Sequence, residues 1–186
     1  MHSSKGHVAF VAMEIHVEGL PTYAGGLGLL AGDLLQSAAD LGFPMIGITL
    51  IHDRGYVWHE VVDDRVVDRD EPYDPLGCCE KLDAKLRIEL KSGPVYLAVW
   101  KRVIRGAGGE VPVFFLDARV ADNPPQLRGL TSRVYIEGSW EERLLKELCL
   151  GLGALQLVEK LGFEVSKYHL NESHAGFLAI ELLKRV

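Results

Sequence analysis

Two short apolar runs flank a glycine-rich segment with helical periodicity, and this arrangement constrains the fold more than any other part of the sequence. The runs are HVAFVAM (7–13) and PMIGITLI (44–51), each with the length of a buried strand. Between them, LPTYAGGLGLLAGDLLQSAADLG (20–42) repeats apolar residues at helical spacing, which predicts that its buried face consists of Leu27, Leu30, Ala31, Leu34, Leu35 and Ala38. A strand, a helix and a strand in this order predict a crossover between parallel strands.

The last third of the chain predicts a second unit of the same kind. Ser139 and Glu142 form a capping box ahead of a helix at about 140–161. A short strand in EVSKYHL and a helix in AGFLAIELLKR follow it. The core-facing stripe of the long helix is expected to be Leu144, Leu145, Leu148, Leu152, Leu155 and Val158. We therefore predict an α/β fold with a mainly parallel sheet and helices on both faces.

The middle of the chain, from Gly55 to Phe115, has a different pattern. The segments GYVWHEVV, LDAKLRIEL, VYLAVWKRVI and VPVFFLDA alternate in part and are separated by glycine, proline and charged residues. This pattern is typical of antiparallel strands, which we expect on one side of the domain. With 186 residues, 48% of them hydrophobic, and no linker or repeat, we expect a single domain over residues 1–186.

Composition excludes several classes of partner. A net charge of -6 provides no basic stripe for nucleic acid, so we expect none to bind. No apolar run has the length of a membrane span, and we expect a cytoplasmic protein. Cysteine and histidine spacing does not suggest a metal site, and His16, His52 and His59 are expected on the surface.

Three glycines at the start of the first helix need a separate explanation. Gly25, Gly26 and Gly28 each cost about 1 kcal/mol relative to alanine inside a helix, so helix propensity does not account for them. One interpretation is that bare backbone amides approach an anion or a sugar at the helix N-terminus. The alternative is a tight turn followed by close packing of the helix.

Polar residues follow two of the predicted strands. Glu14 comes directly after the first strand, and HLNESH (169–174) supplies Asn171, Glu172 and His174 after another. Because parallel strands end at the same edge of a sheet, these residues and the glycines are expected to meet there. The alternatives are that Glu14 caps a loop, and that Asn171 or Ser173 caps the last helix beside a histidine that only packs.

Taken together, these segments resemble a known family. AMEI, the glycine segment, PMIGITLIHDRGY and HLNESHAGFLAIELL resemble, in that order, the N-terminal part of the α-glucan phosphorylases that act on glycogen, starch or maltodextrin. The intervening VPVFFLDARVADNPPQLRGLTSRVY and EERLLKELCLGLGAL fit the same family in order and spacing. The resemblance covers almost the whole chain. GGLG by itself would equally suggest a glycogen or starch synthase.

The resemblance implies a fold, an activity and a set of site residues. The fold is the Rossmann-like N-terminal domain of a glycosyltransferase-B protein, with an added antiparallel β region. The activity is phosphorolysis of terminal α-1,4-linked glucosyl units to glucose 1-phosphate. Catalytic positions are Glu14 and His174, and the residues that bind substrate or phosphate are Gly25, Gly26, Leu27, Gly28, Asn171 and Glu172.

The resemblance also implies a cofactor and partners. The family uses pyridoxal phosphate, whose attachment lysine we expect in a C-terminal domain or subunit absent from this chain, so that the chain alone is inactive. The other implied partners are α-1,4-glucan, orthophosphate and a possible second copy of the chain. Between Tyr135 and Arg143, the segment IEGSWEE differs from the family loop that enters the catalytic cleft.

Two other functions remain open from the sequence. A synthase of the same fold usually has lysine two residues before GGLG, where this chain has Tyr23, which disfavours a nucleotide-sugar enzyme. A non-catalytic module could keep half of the cleft to bind glucan or to regulate a full-length relative.

Overall fold

A six-stranded mixed sheet forms the centre of the protein in a computed structural model that describes residues 6–56, 58–69, 73–135 and 138–185. The strands are β1 (His7–Val11), β2 (Met45–Leu50), β3 (Trp58–Val62), β4 (Arg65–Arg69), β5 (Glu80–Ile88), β6 (Val95–Arg105), β7 (Glu110–Asp117) and β8 (Val165–Leu170). The helices are α1 (Gly26–Asp40), α2 (Pro125–Arg128), α3 (Trp140–Lys160) and α4 (Gly176–Leu183), with short 3-10 turns at Pro75–Gly77 and Ser173–Ala175.

The sheet is parallel on one side and antiparallel on the other. Its order is β5-β6-β7-β2-β1-β8, with β7, β2, β1 and β8 paired in parallel. The predicted mainly parallel sheet with an antiparallel part is therefore confirmed. The middle strands β5, β6 and β7 extend the central sheet, because β7 pairs in parallel with β2. Only β3 and β4 form a separate two-stranded hairpin within the described residues.

Helices cover both faces of the sheet, as the sequence predicted. Alternate residues of β1 divide between two cores. Ala9 and Val11 pack with α3 and α4 on one face, whereas Phe10 and, just after the strand, Ala12 pack with α1 on the other. The same alternation holds along β2 and β7, so the sheet is the middle layer of three.

The buried face of α1 is not the one that its leucines predict. Leu27 and Leu30 are 36% and 58% exposed, while Gly28 and Gly32 are buried together with Ala31, Leu35, Ala38 and Ala39. The reason is that residues 14–23 pass directly over the first turns of α1 and leave no room there for a large side chain. Gly28 and Gly32 thus lie on the buried face of α1, where Leu27 and Leu30 were expected.

For the long helix α3, the structure confirms the predicted cap and only part of the predicted buried face. Ser139 accepts a hydrogen bond from the Glu142 N–H at 3.3 Å, which confirms the predicted cap. Leu155 and Val158 are buried as predicted, but Leu144, Leu145, Leu148 and Leu152 are only half-buried. The buried face is rotated toward Cys149, Leu150, Ala154 and Leu157, and it also includes Lys146.

The described residues contain neither a candidate membrane span nor a candidate metal cluster. None of the helices there has the length and apolar character that a membrane crossing requires. No group of three or more histidine, cysteine, aspartate or glutamate side chains lies in a metal-binding arrangement in the same part of the chain.

Gly151 sets the distance between α3 and α4. A Cβ at this position would lie 2.6 Å from the Leu178 backbone nitrogen and 2.9 Å from Phe177 Cβ. We expect Gly151→Ala to lower the free energy of unfolding by about 2 kcal/mol, because the two helices must separate. Urea unfolding of Gly176→Ala provides the control, since a Cβ there meets no atom within 4 Å. Equal stability of the two variants would contradict this packing.

Candidate functional site

The predicted site residues lie at the carboxyl edge of the parallel strands. β1 pairs with β2 on one side and with β8 on the other. The chain therefore leaves β1 through α1 toward β2, but the last strand returns to the opposite side of β1. In open α/β sheets such a reversal opens a crevice beyond the strand ends, where ligands bind. Glu14 follows β1 at this edge of the sheet, and Asn171 to His174 follow β8.

Glu14 connects three segments of the chain. Its side chain is buried, with 3% exposure. One carboxylate oxygen, Oε2, accepts a hydrogen bond from the Ala24 N–H at 2.5 Å, and Oε1 accepts one from the Tyr135 hydroxyl at 2.8 Å. The alternative interpretation, that Glu14 caps a loop, is thus partly right, because its carboxylate accepts the N–H of Ala24, the residue directly before Gly25. The carboxylate also joins that segment to the loop before α3.

The glycines of GGLG have two different surroundings. A Cβ at Gly28 would lie 2.4 Å from Tyr23 Cβ and 2.8 Å from Glu14 Oε2, so close packing explains this glycine. A Cβ at Gly25 or Gly26 would meet no atom within 4 Å. Neither of them has a positive φ, so a left-handed backbone does not explain them either. Packing therefore accounts for Gly28 and leaves open space beside Gly25 and Gly26.

The N-terminus of α1 lacks a compensating group of its own. Its N-cap is Gly25, which makes no side-chain hydrogen bond, and the first turn contains no acidic residue. The first N–H groups of a helix have no acceptor within the helix, and they carry partial positive charge. The start of α1 at Gly26 and Leu27 is therefore suited to an anion or to sugar hydroxyls.

The HLNESH motif is held against the end of β1. The Asn171 N–H donates to the Val11 carbonyl at 2.9 Å. Glu172 has φ 66° and ψ 179°, a strained conformation for a residue with a side chain. Side chains do not cap the following 3-10 turn or α4, so the capping alternative for Asn171 and Ser173 is wrong. Strain of this kind is common at functional sites.

Tyr135 is a site residue that the sequence did not reveal. Besides donating to Glu14, its ring lies 6.1 Å from the His174 ring, and Arg143 Nη2 lies 3.5 Å from His174 Nε2. Burial first, and then the hydrogen bond to Glu14, raise the pKa of Tyr135 to about 12. Its hydroxyl is therefore a proton donor throughout the neutral range. Through Tyr135 the structure brings Glu14, the glycine segment and His174 together.

Two further residues lie behind this cluster. His52 was expected on the surface, but it is fully buried, with Nε2 3.0 Å from the Met13 carbonyl oxygen. Burial, followed by the positive charge of Lys146, lowers its pKa to about 3. Lys146 is 2% exposed and donates to the carbonyls of Arg133 and Val134. His16 is half-buried and His59 is exposed.

A groove of about 570 Å³ lies between α1 and β6. Its lining includes His16, Gly32, Asp33 and Arg102, but none of the predicted site residues. The candidate site is thus defined by its hydrogen bonds at the strand ends and not by this groove.

Curated relatives of the chain carry phosphorylase names. It is 35% identical over 195 residues to a glycogen phosphorylase of Mycobacterium tuberculosis and 33% identical over 175 residues to that of Aquifex aeolicus. It is 32% identical over 179 residues to a maltodextrin phosphorylase of Thermococcus litoralis. These alignments cover 96%, 88% and 91% of the chain, respectively. This chain is related to a region of the α-glucan phosphorylases.

The relationship has a defined extent. The phosphorylase-related region spans 21–25% of the length of these relatives. No family model matches the chain. The family resemblance seen in the sequence is confirmed, whereas the roles of the individual site residues in this phosphorylase-related region stay predictions.

The hydrogen bond between Tyr135 and Glu14 gives the first prediction for the site. We expect Glu14→Gln to lower the Tyr135 pKa from about 12 toward the usual value near 10, because a neutral amide no longer opposes phenolate formation. The ¹³Cζ resonance of labelled tyrosine, assigned by its loss in Tyr135→Phe, measures this titration. Glu18→Gln is the control, since Glu18 is exposed. An unchanged Tyr135 pKa in Glu14→Gln would contradict the contact.

Buried His52 gives a prediction about acid stability. Between pH 6.5 and 3, an unfolded chain protonates this histidine while the folded protein keeps it neutral. The unfolded state binds more protons in this window, so the free energy of unfolding falls as pH falls, by up to about 1.4 kcal/mol per pH unit. Urea unfolding between pH 7 and 4 should show a shallower fall in His52→Gln than in wild type. His59→Gln should keep the wild-type slope, and equal slopes in all three proteins would contradict the prediction.

Proposed function

We propose that this chain is the N-terminal, glucosyl-binding region of an α-1,4-glucan phosphorylase of the glycogen phosphorylase type. The complete enzyme would transfer terminal glucosyl units from glucan to orthophosphate and release glucose 1-phosphate. The names of the relatives support this substrate class. A Rossmann-like domain in a glycosyltransferase-B protein, a cytoplasmic location and a homo-oligomer are further parts of the proposal.

The observation that carries the proposal is the position of Glu14. Its carboxylate receives the N–H of Ala24 at the entry to the glycine segment and the hydroxyl of Tyr135 beside His174. It thereby links the glycine segment to the loop that carries Tyr135, at the end of β1. An enzyme that moves a glucosyl unit needs donors aligned in advance, because reorganisation during the reaction raises the barrier.

The residues have distinct roles in this proposal. The amides of Gly26 and Leu27, with open space beside Gly25 and Gly26, donate to phosphate or to glucosyl oxygens. Gly28 lets the segment approach Glu14. On the opposite wall, Asn171, Glu172 and His174 line the sugar position, and Arg143 adds positive charge next to His174.

Pyridoxal phosphate does not fit the lysines described behind the site. Lys146 is the buried lysine in the described part of the chain, and its amine is already bound to two backbone carbonyls. A Schiff base there would break both hydrogen bonds and would need space inside the core. The cofactor therefore belongs in the proposal only to the complete enzyme, with its lysine on another domain or subunit.

The two alternatives differ in what they predict. A glycogen or starch synthase would use a nucleotide sugar, and Tyr23 in place of the usual lysine speaks against it. A non-catalytic glucan-binding or regulatory module would bind glucan without supporting turnover. A fusion in which this chain replaces the matched region of the Aquifex aeolicus glycogen phosphorylase separates these possibilities. We expect it to form glucose 1-phosphate from maltodextrin and orthophosphate.

Gly26→Val in this fusion tests the glycine segment. We expect turnover to fall about 100-fold, because a branched side chain keeps the substrate away from amides whose loss typically costs about 3 kcal/mol. The thermal midpoint should change little, since the space beside Gly26 is open. Gly77→Val is the matched control, because Gly77 has equally open surroundings far along the chain in a 3-10 turn.

Other outcomes would reject the proposal in different ways. A stable fusion that is retarded in glycogen-containing gels but makes no glucose 1-phosphate would favour the non-catalytic module. Normal turnover of Gly26→Val with a much lower thermal midpoint would assign this glycine to packing. A folded fusion with neither retardation nor turnover would contradict both glucan-related functions.

A further inference from the structure

Two buried basic side chains stand behind the Glu14–Tyr135 hydrogen bond. Lys146 projects from α3, and His52 comes from the segment after β2. Both are at most 2% exposed. They lie close enough for the charge of Lys146 to act on the His52 ring. None of the predicted catalytic or binding roles involves either residue.

Each of the two side chains binds the backbone immediately before one member of the pair. His52 Nε2 lies 3.0 Å from the Met13 carbonyl oxygen, one residue before Glu14. Because a carbonyl can only accept, the neutral ring carries its proton on Nε2. Lys146 Nζ donates to the Val134 carbonyl at 2.7 Å, one residue before Tyr135, and also to the Arg133 carbonyl.

Packing alone does not explain a lysine at this position. A buried ammonium is costly unless it is paired, and no carboxylate in the described ranges forms an ion pair with Lys146. A methionine would fill similar space without that cost. Unlike methionine, Lys146 donates hydrogen bonds to two successive carbonyls, those of Arg133 and Val134, directly before Tyr135.

We propose that Lys146 and His52 are positioning residues that hold the backbones of Glu14 and Tyr135 in the register needed for their hydrogen bond. The catalytic meaning of this role rests on the proposed phosphorylase function, whereas the geometry does not. Lys146 acts on the Tyr135 side of the crevice, and His52 acts on the Glu14 side. Neither residue touches the substrate.

Lys146 can make this contact in either protonation state. Burial lowers its pKa to about 7, and the neutral amine keeps two N–H donors, one for each carbonyl. Titratable or charged groups on the elements packed around α3 are His52 near Lys146, and Lys85, Arg87, Glu181 and Lys184 toward the other end of the helix.

The test follows the Tyr135 hydroxyl in the isolated chain. We expect Lys146→Met to lower the Tyr135 pKa from about 12 toward 10, because the segment is released from Glu14. Lys146→Gln, which keeps two N–H donors without charge, should retain most of the raised value. Lys160→Met is the matched control on the same helix, since Lys160 also binds a carbonyl, that of Lys85, at 3.0 Å. Labelled-tyrosine ¹³Cζ spectra provide the readout.

A second variant covers the case in which Lys146→Met does not fold. His52→Leu should weaken the contact from the Glu14 side and lower the Tyr135 pKa. An unchanged Tyr135 pKa in a folded Lys146→Met, or in a folded His52→Leu, would overturn the proposal. Neither result depends on glucan binding or turnover, so failure of the proposed function would be seen separately.

Discussion

The buried carboxylate of Glu14 is the interaction on which the rest of the site depends. A charge with 3% exposure is tolerated only when donors replace the water that it loses, and here the Ala24 N–H and the Tyr135 hydroxyl do so. Those donors come from two distant parts of the chain. Satisfying one buried charge therefore aligns the glycine segment and the loop before α3 in a single step.

This dependence explains why the glycines differ from one another. Gly28 is small because the Glu14 carboxylate and Tyr23 occupy the space where a side chain would go. Gly25 and Gly26 have free space, so no internal contact requires them to be glycine. The site thus contains one glycine that the fold needs and two that no contact within the described residues explains.

The sequence predicted the elements of the fold well because periodicity is a local property. The strands around α1, the cap at Ser139 and the helix at 140–161 all depend on neighbouring residues, and the structure has them within a residue or two. The faces of the helices were harder to predict. Leu27 and Leu30 have the right spacing for a core but are exposed, because the loop above α1 packs on the face that carries Gly28 and Gly32, and helical spacing does not reveal a loop.

The residues of the candidate site also differ in whether local sequence could predict them. Glu14 and HLNESH could be placed from sequence because each directly follows a strand. Tyr135 could not, since its role depends on where a loop folds back over β1. The burial of Lys146 could have been predicted from helical spacing, because it lies three and four residues before the buried Cys149 and Leu150 on α3. His52 follows an apolar strand, but its burial results from contacts with residues far away in the chain.

The pairing of β1 with β8 has a consequence for how the protein is made. The first strand of the described chain, β1, pairs with the last one, β8, and all the other described strands lie between them in the sequence. Contacts between such distant segments form late, because a long loop must close first. During synthesis, the sheet from β1 to β7 can assemble while the crevice still lacks one wall. The edge of the sheet that carries Glu14 is therefore complete only after β8 and the HLNESH motif have been synthesised.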